Sequence, residues 1–248
     1  VFKTTCCFLL DLSGRPGNYY RSCFIKEVII MQITLREPGS ALTHFIAMIM
    51  AVGAAVPLLL KAASHGSVCL LAMLVFIISM ILLYGASATY HSVNLPASVI
   101  KILRKVDHSM IFVLIAGSYT PVCLLVLDPK RGYPLLIAVW SLALIGIGIK
   151  FLWITCPKWF SSVIYIAMGW ICVFVFSPIV HRLPVAAFGW LLAGGIIYTV
   201  GGIIYALKLP LFNARHQYFG SHEIFHLFVM GGSFCHFIFM YQYVIGLS

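Results

Sequence analysis

The sequence predicts an all-α integral membrane protein, a bundle of seven transmembrane helices, and three observations lead to this prediction. The 248-residue chain is 62% hydrophobic and only 9% charged, whereas a soluble domain is roughly half apolar and about a quarter charged. Its mean hydropathy is +1.05. Its apolar runs reach the roughly 20 residues that one transmembrane helix needs. These features exclude a soluble globular enzyme and a disordered chain.

Seven apolar runs of spanning length follow one another, separated by short polar gaps. The runs are too long, and lack the alternation, for the strands of a β-barrel. We therefore predict one helix for each run, and no large soluble domain between them. The predicted spans are 41–60, 68–90, 108–127, 134–152, 160–180, 185–206 and 223–246.

The distribution of lysine and arginine predicts the direction of the spans, because loops on the cytoplasmic side carry an excess of positive charge. With seven spans, the side of the N-terminus carries Lys3, Arg15, Arg21, Lys26, Arg36, Lys101, Arg104, Lys105, Lys150, Lys158, Lys208 and Arg215. The other side carries only Lys61, Lys130, Arg131 and Arg182. We predict a cytoplasmic N-terminus and an external C-terminus. The net charge of +10 then reflects topology rather than a nucleic-acid-binding surface.

The first residues differ from the rest of the chain, since they contain scattered charges and no span. We divide the chain into an N-terminal segment, 1–36, and a membrane domain, 37–248. The tripeptide Lys26-Glu27-Val28 can be encoded by a bacterial ribosome-binding sequence and stands shortly before Met31. Our hypothesis is that residues 1–30 are an untranslated leader and that Met31 is the true start.

Ionisable residues at membrane depth are costly, so their positions are informative. The second span ends with Ser87 and His91, the third begins at Asp107, and the seventh begins at His222 and His226. In the predicted topology all of these positions lie at the cytoplasmic ends of their helices. The sequence therefore predicts a polar constellation at one depth.

The spacing of the histidines predicts a metal site. His222 and His226 stand four residues apart, so their imidazoles share one helix face. Neutral imidazole is a favoured zinc ligand, and a catalytic zinc takes three protein ligands and a water. We predict a Zn²⁺ site formed by His91, His222 and His226, with Asp107 to accept a proton and Ser87 one turn below His91 as further catalytic residues. The alternative is a set of interfacial histidines bonded to backbone or lipid headgroups.

The segment from His222 to His226 also matches H-E-x-x-H, in which the glutamate is the general base of a zinc protease. Such a protease would draw its third ligand from downstream, where the sequence offers only His236. That residue lies about 15 Å further along the helix. We therefore favour the upstream ligand His91, and a protease is the weaker hypothesis.

The chain resembles the hemolysin III family, which belongs with the progestin and adipoQ receptors, including the adiponectin receptors. The resemblance extends from Glu37 to Phe237. It rests on Ser87-x3-His91, on Asp107, on Ser221-His222-Glu223-Ile224-Phe225-His226, on Phe234-x-His236-Phe237, on Glu37-Pro38-Gly39-Ser40-x2-Thr43-His44 and on Ala116-Gly117-Ser118-Tyr119-Thr120-Pro121.

This resemblance implies seven helices with a cytoplasmic N-terminus and a zinc site of three histidines near the cytoplasmic face. The adiponectin receptors resemble lipid amidases acting on ceramide. Bacterial members are named for a pore-forming, haemolytic activity and are linked to membrane-lipid homeostasis. The family position of Glu223 is not acidic in adiponectin receptors, which favours a helix N-terminal role for this residue. No protein hormone is expected as a partner, because the long soluble N-terminal domain of the animal receptors has no counterpart.

The expected function is that of a zinc-dependent membrane hydrolase of lipid amide or ester bonds, with membrane lipids as partners and no nucleic acid. The alternative is a pore-forming haemolysin or a lipid-state sensor with a structural zinc. Glu37 and His44 are expected near the same face, either as capping or as site-supporting residues. We expect His108 at the membrane interface and His236 as a buried, hydrogen-bonded packing residue.

Overall fold

The computed structural model describes residues 35–207 and 220–247, and the regular elements in these ranges are all helical. The prediction of an all-α fold is confirmed. The proposed leader 1–30 lies outside the described residues, as do Lys208 and Arg215. The α-helices are α1 (Pro38–Ala63), α2 (Ser67–Ser92), α3 (Ala97–Pro121), α4 (Pro129–Leu152), α5 (Lys158–Gly169), α6 (Phe176–Arg182), α7 (Val185–Leu207) and α8 (Ser221–Phe239).

Seven helical stretches in the described part of the chain are long and apolar enough to cross a membrane, as the sequence predicts. Helices α1, α2, α4 and α7 each form one span. The third span is α3 continued by a π-helix, Val122–Val126, and the seventh is α8 continued by a π-helix, Met240–Val244, and a short 3₁₀ turn. The fifth span consists of α5, a 3₁₀ segment, Trp170–Val175, and α6.

The third span begins earlier than its hydropathy predicts. We place its start at residue 108, whereas α3 begins at Ala97. The intervening residues, which include Lys101, Arg104 and Lys105, are helical. Hydropathy detects only the apolar part of a helix, so it does not predict first turns that carry charged residues. Asp107 consequently lies about three turns inside α3 rather than at its start.

Helix α3 is the central helix of the bundle. In its most apolar stretch 67% of the residues are buried, against 11% in that of the fifth span. Large side chains of α2, α3 and α8 are almost completely buried in the core, among them Phe76, Met73, Phe112 and Phe239. Association of helices in lipid depends on such close packing, because lipid tails are as apolar as the side chains themselves.

The fifth span departs from α-helical geometry near its middle. Tyr119 hydrogen-bonds the backbone groups that consequently lack a helical partner. The Tyr119 hydroxyl donates to the Gly169 carbonyl at 2.6 Å and accepts from the Cys172 backbone N–H at 2.9 Å. Trp170 donates from its indole nitrogen to Thr199 on α7 at 2.9 Å. An unsatisfied backbone group inside a membrane is costly, so these bonds allow the break to exist.

Lys150 lies differently from its predicted place. The charge distribution predicts a cytoplasmic loop position for Lys150, but the side chain is buried, with 2% of its surface exposed. Its ammonium group donates to Ser161 and to the Cys156 sulfur. It therefore connects the end of α4 to the start of α5.

Candidate metal centre

Three imidazoles meet between the end of α2 and the start of α8. One ring nitrogen of each of His91, His222 and His226 lies within 4.8 Å of the others. His91 and His226 are almost completely buried, at 1% and 2% exposure. The structure thus brings together residues separated by 131 positions in the chain, in the combination that the sequence predicts.

Glu37 orients His91. The residue lies just before α1 and its backbone N–H donates to the His91 carbonyl at 3.0 Å. Its carboxylate accepts a hydrogen bond from Nδ1 of the same histidine. This bond, together with attraction from Arg36, outweighs partial burial and lowers the pKa of Glu37 to about 2. Because a carboxylate only accepts, the proton of His91 lies on Nδ1 and the lone pair of Nε2 faces the cluster.

Thr43 has the same effect on His226. Its hydroxyl lies 3.0 Å from the carbonyl oxygens of Gly39 and Ser40 and 3.2 Å from Nδ1 of His226. A hydroxyl has a single proton. Since that proton is donated to the backbone, the oxygen accepts from Nδ1–H of His226. The second imidazole is therefore also held with its Nε2 lone pair free.

The facing nitrogens fit a bound cation. Nε2 of His222 lies 3.2 Å from Nε2 of His91, and Nδ1 of His222 is buried without a hydrogen-bond partner among the described residues. Two ligands about 2.05 Å from a tetrahedral zinc lie about 3.3 Å apart. Metal-binding histidines characteristically donate their other ring nitrogen to a carboxylate or another acceptor, as His91 and His226 do here. The donor set and its supports therefore fit Zn²⁺.

His44 packs flat on His226. Their ring centroids are 3.6 Å apart with an interplanar angle of 7°, and His44 meets Tyr84 edge-on at 5.1 Å. The sequence left open whether Glu37 and His44 are capping or site-supporting residues. Both lie directly against the histidine cluster, which favours support of the site.

Glu223 is engaged away from the cluster. One carboxylate oxygen accepts from the Ser40 hydroxyl at 2.6 Å, and the other accepts from the Gly220 backbone N–H at 2.8 Å, just before α8. Both oxygens therefore satisfy donors at the helix start. This arrangement favours the helix N-terminal role over the general base of an H-E-x-x-H protease.

Asp107 and Ser87 lie beside the cluster on neighbouring helices. Asp107 is 8% exposed and Ser87 is 1% exposed, and Ser87 lies close to the Asp107 carboxylate. The sequence predicts His108 at the membrane interface, but the structure places it beside Asp107. Its Nε2 lies 3.9 Å from the Asp107 carboxylate, and its side chain lines the same cavity as Asp107.

A cavity of about 460 Å³ extends from the cluster along the bundle. At one end it reaches His222, His226, Ser87 and Asp107, and further along it is lined mainly by apolar side chains. Its volume falls in the range of roughly 300–1,000 Å³ that is typical of small-ligand sites. The cluster is therefore not sealed in the core but opens into an apolar chamber.

Two residues that contact α8 at the site are not predicted from the sequence. Thr43 and Ser40 belong to a recognised motif, but the sequence assigns them no role. The available signal was the spacing of Ser40, Thr43 and His44, because Thr43 and His44 stand three and four residues after Ser40 and so lie beside it on α1. Small hydroxyl residues are common at helix starts, however, and their partners on α8 become visible only in the fold.

Comparison with known proteins agrees with this architecture. The family model "Haemolysin-III related" matches residues 32–237. "Hemolysin-3" of Bacillus cereus is 37% identical over 222 residues, which cover 89% of this chain and 97% of that protein. "Hemolysin-3 homolog" of Bacillus subtilis (strain 168) is 39% identical over 198 residues, which cover 79% of this chain and 89% of that protein.

A more distant relationship reaches the animal receptors. "Adiponectin receptor protein" of Drosophila melanogaster is 38% identical over 55 residues, or 21% of this chain and 12% of that protein. Together with seven membrane-spanning helices, these matches establish the relationship that the motifs suggest. The chain belongs to the haemolysin-III-related family of multi-pass bacterial membrane proteins, and it is related to the adiponectin receptors.

Proposed function

We propose that this protein is a zinc-dependent membrane hydrolase that cleaves an amide or ester bond of a membrane lipid, and that it serves membrane-lipid homeostasis. The observation that carries the proposal is the opening of the histidine cluster into a long apolar cavity, with a carboxylate at the same end. A structural zinc usually has four protein ligands, whereas a catalytic zinc keeps one position open. Three histidines beside a cavity match the second pattern.

His91, His222 and His226 would hold the metal ion through their Nε2 lone pairs. A zinc ion so bound supplies Lewis acidity, which acidifies water and polarises a carbonyl group. Glu37 and Thr43 keep two of the imidazoles in the tautomer and orientation that ligation requires. The protein thereby has its ligands arranged before the metal arrives.

Asp107 takes the proton of the attacking water in this proposal, and it later returns that proton to the leaving amine or alcohol. Ser87 lies close enough to hold the carboxylate in place, which would make it a positioning residue. The apolar wall of the cavity binds the acyl chain and keeps bulk water from the reacting end. Substrate enters from the bilayer between helices, since its chain already lies in lipid.

The test separates metal binding from chemistry. The purified protein is analysed for zinc and incubated with a panel of lipid amides and esters, with His226→Ala and Asp107→Ala as variants. His226→Ala is expected to lose both zinc and turnover. Asp107→Ala is expected to retain zinc while turnover falls by about 10²–10⁴-fold, the usual contribution of general acid–base catalysis.

A matched control is His181→Ala, which removes an exposed histidine at the end of α6. It should leave zinc content and turnover unchanged. Full turnover by a zinc-free His226→Ala protein would contradict the mechanism, and so would an unaffected Asp107→Ala enzyme.

Similarity to proteins named Hemolysin-3 favours a second candidate, a pore-forming activity in which the zinc has a structural role. A water-filled pore needs a continuous polar lining, and the cavity described above is mainly apolar. Release of an encapsulated dye from vesicles distinguishes the two. Zinc-dependent lipid cleavage without dye release supports the hydrolase, whereas release without cleavage supports the pore.

A further inference from the structure

His236 occupies an unusual position in the apolar part of the cavity. It lies on α8, ten residues beyond His226, and its side chain lines the same chamber. Both of its ring nitrogens are buried, and neither makes a well-formed hydrogen bond with a described residue. The sequence predicts a hydrogen-bonded packing residue here, and the structure does not provide those bonds. A buried polar group without a partner is costly, so its presence calls for another explanation.

The hydroxyl groups near His236 hydrogen-bond to each other and not to the imidazole. The Tyr198 hydroxyl lies 2.8 Å from the Ser233 hydroxyl, and the Tyr198 ring meets the imidazole edge-on with centroids 5.3 Å apart. The Leu191 backbone carbonyl approaches the imidazole and is able to accept from one ring nitrogen. The other nitrogen of a neutral imidazole is then an acceptor. What is missing is a hydrogen-bond donor from within the cavity.

The neighbouring helix leaves space for the imidazole. A Cβ atom built on Gly194 would lie only 2.6 Å from Nε2 of His236 and 3.2 Å from the Gly232 carbonyl oxygen. Any larger residue at position 194 would displace the ring. The absence of a side chain at Gly194 thus leaves room for the His236 imidazole between α7 and α8, beside the apolar cavity.

We propose that His236 is a second polar subsite, which binds a hydroxyl group carried partway along the acyl chain of the ligand. This inference rests on the proposed function, because it assumes that the reacting end of the lipid lies at the histidine cluster. Both ring nitrogens are covered in this structure, so the imidazole turns to meet the ligand, whose hydroxyl then donates to the free ring nitrogen. The subsite thereby selects hydroxylated chains over plain ones.

The distance between the two polar sites specifies the position of the hydroxyl. Ten residues of α-helix between His226 and His236 correspond to a rise of about 15 Å. An extended alkyl chain advances about 1.25 Å for each carbon–carbon bond of about 1.5 Å. The separation therefore matches about twelve bonds, and the best ligand carries its hydroxyl near carbon 12 of the acyl chain.

The test is equilibrium binding of three probes to the purified zinc-loaded protein in nanodiscs. The probes are 12-hydroxyoctadecanoic acid, 6-hydroxyoctadecanoic acid and octadecanoic acid. We expect the 12-hydroxy acid to bind about tenfold more tightly than the other two, which corresponds to one hydrogen bond to an otherwise unpartnered group. This comparison needs no variant and so does not depend on whether a mutant folds.

Variants then assign the preference to His236. His236→Leu should bind octadecanoic acid at least as well as the unaltered protein and lose the tenfold preference. His236→Gln, which keeps a hydrogen-bonding group, should retain part of it. His65→Leu, in an exposed histidine between α1 and α2, is the matched control and should change nothing.

Two results would overturn the proposal in distinguishable ways. Equal binding of the three acids to the unaltered protein would contradict the subsite alone and leave the acyl-binding cavity intact. Failure of all three acids to bind would contradict the acyl-binding cavity, and with it both the proposed function and the subsite.

Discussion

The two halves of the bundle are built differently. At the histidine-bearing end, the three predicted ligands come from regular α-helix, and two of them are fixed through Nδ1 by Glu37 and Thr43. Away from that end, the third and seventh spans continue as π-helices, and the fifth changes to a 3₁₀ segment near its middle. These segments depart from the three- and four-residue spacing that holds side chains in register along a regular α-helix.

The two halves therefore have separate structural roles. One end fixes the geometry of a few polar atoms before any ligand binds, and the other shapes the apolar chamber. Substitutions in the first half should therefore change zinc affinity with little effect on folding. Substitutions at the irregular segments should change stability while zinc affinity stays the same.

The largest effect on zinc affinity among the supporting residues is expected for Glu37→Gln. The amide cannot provide a full negative charge to Nδ1 of His91, and loss of such a partner typically costs about 10–100-fold in metal affinity. Competition with a calibrated chelator measures this. The control is Asp128→Asn, in a carboxylate that pairs with Arg131 at the start of α4, and it should be silent. Equal affinity of both variants for zinc would contradict the role of Glu37.

A smaller effect is expected for Thr43→Val, which removes the acceptor of Nδ1–H on His226 but keeps the shape. We predict a loss of about tenfold in zinc affinity, at the lower end of the usual range, by the same chelator assay. Thr89→Val is the matched control, because Thr89 donates to a carbonyl in its own helix at 2.8 Å and is exposed. If Thr89→Val weakens zinc binding as much, the contact of Thr43 with His226 has no special importance.

No change in zinc affinity is expected for Tyr119→Phe, although the protein should be less stable. The variant leaves the Gly169 carbonyl and the Cys172 N–H without their partner, at a cost of about 1–3 kcal/mol. Thermal unfolding of the detergent-solubilised protein measures the loss, with Tyr133→Phe, in an exposed tyrosine, as the control. A large fall in zinc affinity in Tyr119→Phe would show that the two halves are coupled.

Much of the architecture could be predicted from the sequence. Hydropathy finds seven spans because a membrane helix must be apolar over its whole buried length. It misses the first turns of α3, where Lys101, Arg104 and Lys105 continue the helix beyond the apolar run. It also misses the burial of Lys150, whose partners Cys156 and Ser161 become evident only when α4 and α5 pack together.

The grouping of His91, His222 and His226 could be predicted because four-residue spacing and a common depth constrain positions strongly. The orientation of their rings could not, since it depends on Thr43 and Glu37 across helix contacts. An ideal helix turns His108 about 100° away from Asp107, yet both side chains line the cavity. A wide cavity accepts side chains from a broad arc of a helix, which periodicity alone does not reveal.

The most direct test of the central claim is X-ray absorption at the zinc edge of the purified, metal-loaded protein. The account predicts one zinc per chain with three imidazole nitrogens at about 2.0–2.1 Å and one oxygen ligand, and loss of one nitrogen shell or of the metal in His91→Ala. Absence of stoichiometric zinc, or a centre closed by four protein ligands, would contradict it.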